Sequence, residues 1–314
     1  MRLLSFVIPC YRSEHTLEAV VKEIISTVTQ REGFDYEIIL VSDASPDNVF
    51  GLIRRLAEQD PKIRGINFSK NFGQHAAMLA GLRASRGDVV ITLDDDGQTP
   101  ADALYKLVDK LDEGYDAVFA KYEQKKHSRF RNWGSRVNLY MMESLIGKPK
   151  GLAANSYIAL RRFLVEEIIR YQNAYPYIAG LIFRASVNAA EVQVQHRERR
   201  EGESGYRLGT LLRLWLNGFT AFSVKPLRLG AYLGALSALA GFLYGIVTII
   251  NKIVQPQVPL GYASMMSVLL FMGGLILMLL GLVGEYIGRI YICINQSPQY
   301  VIKESVNLDD QKLS

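Results

Sequence analysis

Val89-Val90-Ile91-Thr92-Leu93-Asp94-Asp95-Asp96-Gly97-Gln98-Thr99-Pro100 passes, within one short stretch, from an unbroken apolar run to three adjacent carboxylates and then to a turn. The apolar run predicts a strand buried on both faces, and Gly97 and Pro100 mark where it stops. Three carboxylates in sequence repel one another, and a fold tolerates them readily when a cation neutralises them. In an extended segment Asp94 and Asp96 alternate and point the same way, with Gln98 adding a neutral oxygen. Such a hard-oxygen set suits Mg²⁺ or Mn²⁺ with a shell completed by phosphate oxygens. A calcium loop is the competitor, but the spacing lacks the distal Glu of an EF-hand.

Upstream the same alternation of strand and helix recurs. Leu4 to Ile8 reads as a strand, Ser13 as an N-cap, and Leu17, Val20, Val21, Ile24, Ile25 and Val28 as one helical face. Glu37 to Val41 and Gly65 to Phe68 read as strands, Leu52, Ile53 and Leu56 mark a helix, and Gln74 to Ala84 another. Downstream, Pro100 opens a helix through Leu111 and Ala117 to Ala120 closes the set. Repeated βαβ units predict an α/β fold with a mostly parallel sheet, which binds ligands beyond its strand C-termini. There the first strand exits through Pro9-Cys10-Tyr11-Arg12-Ser13-Glu14, offering a ring to stack on and a carboxylate. The second exits through Val41-Ser42-Asp43-Ala44-Ser45-Pro46-Asp47. An Asp in that place accepts hydrogen bonds from a base or ribose, or caps the helix that follows.

The chain has 314 residues, 49% hydrophobic and 21% charged, with a net charge of +5. That composition excludes a disordered chain, and the charge is too diffuse to argue for nucleic acid as a partner. Two cysteines, Cys10 and Cys293, exclude a disulfide framework or a zinc-thiolate site. The four histidines form no metal motif by spacing, and His75, at a helix start, reads as structural. The N-terminal apolar run before Pro9 is too short for a secretory signal, so the first domain is expected in the cytoplasm.

The mean hydropathy of +0.08 is an average over two unlike regions. Residues 228–314 carry only five Lys or Arg and four acids. Leu229 to Ile250 and Ala263 to Gly284 are each 22 residues without a charge, enough to cross a hydrocarbon core of about 30 Å at ~1.5 Å per residue. Gly230, Gly234, Ser237, Gly241 and Gly245 in the first run, and Gly273, Gly274, Gly281 and Gly284 in the second, predict close helix packing. Lys225, Arg228 and Arg289 flank the pair, whereas the connection from Asn251 to Tyr262 holds only Lys252. The positive-inside rule then sets the N-terminal domain and the C-terminal tail in the cytoplasm, in a multi-pass protein of the cytoplasmic membrane. Just before the first run, Leu208, Leu211, Leu212, Trp215, Leu216 and Phe219 share a helical face, as in an interfacial helix among membrane lipids. The expected divisions are 1–205 for the catalytic domain, 206–227 juxtamembrane, 228–288 for the hairpin and 289–314 for the tail.

VIPCYRSE, VSDASPD and SKNFGQHAAMLAGL leading into ITLDDDGQTP, in that order, resemble glycosyltransferase family 2 with its GT-A nucleotide-sugar fold. ERREGESGY, the two apolar runs and GEYIGRIY resemble its polyprenyl-phosphate branch, the dolichol-phosphate mannose synthase-like and undecaprenyl-phosphate sugar transferases. The resemblance implies that Pro9, Tyr11, Glu14, Asp43 and Asp95 hold the nucleotide, and that Asp94, Asp96 and Gln98 hold Mg²⁺ or Mn²⁺ on its diphosphate. It implies that Arg129 and Arg131, in a basic stretch from 121 to 136, serve the acceptor, and that Arg199 and Ser204 bind phosphate near the membrane. Asp94, Asp96, Arg131 and Arg199 would then be the catalytic set.

Attack by a lipid phosphate on the anomeric carbon would invert its configuration and yield a lipid-linked monosaccharide. A flippase and a further glycosyltransferase would take up that product, and a homo-oligomer is compatible with the pattern. Two positions depart from the branch. Gly151 to Ser156 reads GLAANS, without the acid often proposed there as a base, and Gly205 replaces a common Lys. The alternatives are a processive polysaccharide synthase, disfavoured by two spans and no QxxRW sequence, and a non-catalytic lipid-phosphate-binding scaffold, disfavoured by the intact Asp94, Asp96 and Gln98.

Overall fold

The computed structural model describes residues 1–100, 103–122, 143, 148–152, 155–195, 225–254, 261–295 and 297–308. Two compact units emerge, Met1–Thr210 with Gln296–Ser314, and Leu211–Asn295.

The first unit is built on β1 (Arg2–Cys10), α1 (Leu17–Thr29), β2 (Phe34–Ser42), α2 (Val49–Gln59), β3 (Ile63–Phe68), α3 (Gln74–Ala84) and β4 (Val89–Thr92). These are the expected βαβ units, with β1 to β3 two to four residues longer in total than the apolar runs and β4 one residue shorter. Then come α4 (Leu104–Asp112), β5 (Ala117–Tyr122), β6 (Ile158–Arg161), α5 (Arg162–Ile169), α6 (Ile178–Ala185), β7 (Ala189–Val194) and, after the second unit, β8 (Ile302–Val306). The strands form one sheet in the order β7-β5-β6-β4-β1-β2-β3-β8. β1 pairs parallel with both β2 and β4, and β2 parallel with β3. β6 runs antiparallel between β4 and β5, and β8 antiparallel along β3.

Periodicity explains the layers. Leu17, Val20, Val21, Ile24 and Val28 of α1 are buried on one stripe, and β4 is buried at every residue. α3 lies so close to the sheet that a Cβ on Gly81 would stand 2.3 Å from Val7 Cγ1. Among the described residues, the one strongly buried acid away from the strand ends, Glu37, is matched by Ser5 Oγ at 2.5 Å, Arg64 at 3.0 Å and the Arg86 N–H at 2.5 Å.

The tail expected over 289–314 is different in the structure. The last helix continues through Ile294, and the chain then returns to give β8 to the first unit's sheet. Ile302-Lys303-Glu304-Ser305-Val306 looks like a solvated tail on its own; its order comes from the unpaired edge of β3.

The second unit holds α7 (Lys225–Val254) and α8 (Tyr262–Ile294). Their apolar windows are Gly230–Asn251 and Phe271–Ile294, and neither is buried within the protein. The second window therefore lies nearer the C-terminus than the uncharged run Ala263 to Gly284. Two long helices that expose Phe242, Leu277 and Ile253 need an apolar surrounding that the protein does not supply, which marks a membrane protein. Close packing is narrower than the glycine pattern predicts. Gly230 and Gly234 face Leu279, while a Cβ on Gly241, Gly245, Gly273, Gly274, Gly281 or Gly284 would meet nothing within 4 Å. The expected interfacial helix lies outside the described residues.

Candidate active site at the strand ends

β1, β2 and β4 end side by side, with Pro9 opposite Val41 and Val7 opposite Thr92. The first two exits turn through left-handed residues, Arg12 at φ 58° and Ala44 at φ 49°. Such backbone costs energy in a non-glycine residue, and here hydrogen bonds hold it in place. The Arg12 N–H donates to Ser45 Oγ at 2.7 Å and the Glu14 N–H to Asp47 Oδ2 at 3.0 Å, while Glu14 Oε2 accepts from the Asn48 N–H at 3.1 Å. Glu14 thus ties the first exit to the start of α2. The Tyr11 ring remains 44% exposed above this frame, with the Arg12 guanidinium 5.5 Å from its centroid, so its face is available to a planar ligand.

The three consecutive aspartates have separate surroundings. Asp95 turns into the protein, where its Oδ2 accepts from the Tyr11 N–H at 2.9 Å and its carbonyl accepts from Thr16 Oγ1 at 2.7 Å. Burial pushes its carboxyl up to about 6, against that backbone bond and reinforced by Asp94 and Asp96. Asp94 accepts from Gln74 Nε2 at 2.8 Å and from Ser156 Oγ. Asp96 Oδ1 accepts from the Gln98 N–H at 3.0 Å across Gly97, whose φ is 71°. Burial pushes the nearby Tyr122 hydroxyl up to about 12, and both Asp94 and Asp96 add to it, so these two carboxylates act on one region.

Asp43 is 4% exposed and accepts from the Phe72 N–H at 2.7 Å and the Gly73 N–H at 2.8 Å. Its burial raises its pKa, and those two donors oppose the rise. The carboxylate predicted to meet a nucleotide therefore also anchors the loop between β3 and α3. Gln74 and His75 follow that loop directly. The His75 ring meets Tyr177 edge-on at 4.9 Å, its Nδ1 is buried without a hydrogen-bond partner, and burial lowers its pKa to about 4.

Pro9, Tyr11, Glu14, Asp43, Asp94, Asp95, Asp96 and Gln98 thus belong to one cluster of adjacent strand exits. Arg129, Arg131, Arg199 and Ser204 lie outside the described residues. Gln74, Ser156 and the His75–Tyr177 pair are further residues of the site that strand-exit reasoning misses. Only the position of Gln74 and His75 within SKNFGQHAAMLAGL signals them.

Among the described residues, no group of three or more His, Cys, Asp or Glu is arranged to hold a metal. The donor chemistry of Asp94, Asp96 and Gln98 nevertheless fits a hard divalent cation that takes its remaining oxygens from a bound diphosphate.

Comparison with known proteins gives the same picture. A model of glycosyl transferase family 2 matches residues 5–169, and one of the GtrB C-terminal hairpin matches residues 225–290. The undecaprenyl-phosphate 4-deoxy-4-formamido-L-arabinose transferase of Proteus mirabilis (strain HI4320) is 32% identical over 97% of this chain and 94% of its own. Its namesake in Pseudomonas aeruginosa (strain UCBPP-PA14) is 34% identical over 97% and 90%. Among solved structures, glucosyl-3-phosphoglycerate synthase from Mycobacterium tuberculosis, in complex with Mn²⁺, UDP-glucose and phosphoglyceric acid, is similar with a TM-score of 0.51. It is 20% identical and covers 70% of this chain and 78% of that one, a likeness of GT-A fold alone.

Proposed function

The chain belongs to glycosyl transferase family 2, and we propose that it transfers a single sugar from a nucleotide-sugar donor to undecaprenyl or another polyprenyl phosphate. One observation carries this reading. An acidic strand-end site and a two-helix apolar hairpin occur in one chain that matches named undecaprenyl-phosphate transferases over nearly its whole length.

In the mechanism, the Tyr11 ring stacks on the base and Asp43, with the loop it anchors, borders the nucleoside. Asp94, Asp96 and Gln98 hold Mg²⁺ or Mn²⁺, which when bound neutralises charge growing on the leaving diphosphate. Gln74 and Ser156 fix the Asp94 carboxylate by one hydrogen bond to each oxygen. Arg129, Arg131, Arg199 and Ser204 receive the lipid phosphate. Its oxygen forms the new bond to the anomeric carbon while the bond to the diphosphate breaks. The electron pair leaves with the nucleoside diphosphate, and the configuration inverts. No enzyme base is needed, because a phosphate monoester with a second pKa of about 6 is already largely ionised at neutral pH. GLAANS, without an acid, agrees with that economy.

The domain faces the cytoplasm, where nucleotide sugars are made, and both apolar helices cross the membrane. Lys225 and Arg228 before the first window, and Arg289 near the C-terminal end of the second, support this orientation. The lipid-linked product then requires a flippase and a glycosyltransferase on the far side.

The deciding assay combines purified protein, undecaprenyl phosphate, Mg²⁺ or Mn²⁺ and a panel of radiolabelled nucleotide sugars. A butanol-soluble lipid monosaccharide is expected. A polymer, or no transfer from any donor, overturns the proposal. Arg131→Ala is expected to raise KM for the lipid and leave donor binding unchanged; a selective loss of donor binding removes Arg131 from the acceptor site.

A further inference from the structure

Residues 297–308 have no part in that mechanism, yet their contacts reach beyond what an edge strand requires. β8 covers the β3 edge with Asn67 opposite Glu304 and Phe68 opposite Ile302. Asn67 Nδ2 donates to Glu304 Oε1 at 2.9 Å, and Asn307 Nδ2 donates to the carbonyls of Ala57 at 2.7 Å and Ile63 at 2.9 Å. Those bonds would suffice to protect the edge.

Gln299 and Tyr300, ahead of the strand, make a second group of contacts. The Tyr300 ring stacks on Phe68 at 5.1 Å, and Phe68 meets Phe72 edge-on at 5.7 Å. The Ser69 N–H donates to the Val301 carbonyl at 2.9 Å. Arg83 of α3 donates to Tyr300 Oη at 3.0 Å, to Gln299 Oε1 at 2.7 Å and to the Tyr171 carbonyl at 2.9 Å. Gln299 Nε2 donates in turn to the carbonyls of Tyr171 at 3.0 Å and Asn173 at 2.7 Å.

These contacts join two segments that border the site. Phe72 and Gly73 hold Asp43, Gln74 holds Asp94, and the segment beginning at Tyr171 runs on to Tyr177, which packs on His75. A shift of the Phe68–Phe72 aromatic pair would move the N–H groups that grip Asp43. Loss of Gln299 would remove the donor to the Asn173 carbonyl and leave the Tyr171 carbonyl to Arg83.

We propose that Gln299 and Tyr300 are positioning residues of the donor site, setting the 71–74 loop and the 171–177 segment so that Asp43 and Asp94 are presented to a nucleoside diphosphate. This rests on the reading that these strand ends take a nucleotide-sugar donor. The two residues act from behind the loop and touch no substrate. In sequence, only Asn295 and Gln296 separate α8 from the segment 297–308.

The test uses the full chain with Mn²⁺ and measures binding of UDP and of GDP by calorimetry, together with donor and lipid KM. Tyr300→Ala and Gln299→Ala are expected to weaken nucleoside diphosphate binding and raise donor KM by about tenfold, the scale of one or two lost hydrogen bonds or ring contacts. Lipid KM stays unchanged. Tyr300→Phe keeps the stacked ring and stays within about threefold of the parent, a partial rescue. Asn307→Ala, at the far end of β8, lowers the melting temperature without changing nucleotide binding. Should Tyr300→Ala and Gln299→Ala melt lower yet bind as the parent does, or should all variants weaken in step with their melting temperatures, the positioning role is overturned. If Tyr300→Ala fails to fold, Gln299→Ala decides the matter by the same readouts. A parent protein that binds neither diphosphate overturns the donor-site reading itself, and the positioning role with it.

Discussion

Asp94, Asp95 and Asp96 are neighbours in sequence with unlike environments, and this separation makes their roles testable one at a time. Asp96→Ala is expected to lower kcat by about a hundredfold or more, because it removes one of two carboxylates from the cation that neutralises the diphosphate. Turnover measured across a Mn²⁺ titration checks this, and unchanged turnover overturns the metal assignment. His75 offers a test through stability. Its folded pKa is about 4 against an ordinary value of 6.5, so between those values the unfolded chain binds a proton that the native protein does not. Its contribution is therefore complete above pH 6.5 and lost as pH falls through about 4, amounting to about 3 kcal/mol at most. Tyr177, the ring against it, titrates only near 12 and does not interfere. Melting temperatures of the parent and His75→Phe, compared at pH 7.5 and 4.5, should show a smaller acid-induced fall in the variant. Equal falls would mean that the ring is solvated. At this scale the strand-exit residues Tyr11, Asp43, Asp94 and Asp96 were legible, because their position after an apolar run is a local signal. Ser156 was not: it reaches Asp94 across 62 residues, and no local pattern carries such a pairing. Asp43 was half legible, since the sequence displays the carboxylate but not the two backbone N–H groups it holds.

Among the elements, the βαβ units were readable because repeated switches from unbroken apolar runs to helical spacing fit few architectures besides a sheet layered with helices. β6 and β8 were not readable as members of the sheet. Ile158–Arg161 is only four residues long and runs antiparallel between β4 and β5, and β8 carries charges that fit a solvated tail equally well. Their order depends on edges made by other strands. α3 shows the converse, a sequence feature whose meaning appears only in packing. Gly81 in a helix would ordinarily cost about 1 kcal/mol relative to alanine, yet a Cβ there would stand 2.3 Å from Val7 Cγ1 and 3.4 Å from Val41 Cγ2. Gly81→Ala should therefore destabilise the protein by a net ~1–2 kcal/mol, overpacking outweighing helix propensity. A lower melting temperature is the expected result; a higher one would show that α3 can lift from β1 and β2. Because the start of α3 carries Gln74 and His75, the same variant should raise donor KM.

For the whole molecule, the return of the chain to its first unit limits how it can traverse a bilayer. β8 belongs to the same sheet as β1, and the two apolar helices lie between them in sequence. A sheet cannot pair its strands across a membrane, because unpaired backbone groups are not tolerated in hydrocarbon. The segment between β7 and β8 must then cross an even number of times, and two apolar helical windows satisfy this with a single hairpin. The cations argue independently for the same arrangement, since Lys225 and Arg228 precede the first window, Arg289 lies near the C-terminal end of the second, and the 251–262 connection holds one cation. The near-zero mean hydropathy is thus the sum of a polar enzyme and an apolar hairpin. Single cysteines at Lys303 and at Gln257, in a chain with Cys10 and Cys293 replaced by Ser, should report opposite sides. In sealed inside-out vesicles a membrane-impermeant maleimide should label the Lys303→Cys protein. The Gln257→Cys protein should react only in right-side-out vesicles or after detergent is added. Labelling of both positions from one side would mean that α7 and α8 lie on the membrane rather than across it. The hairpin would then act as an interfacial anchor.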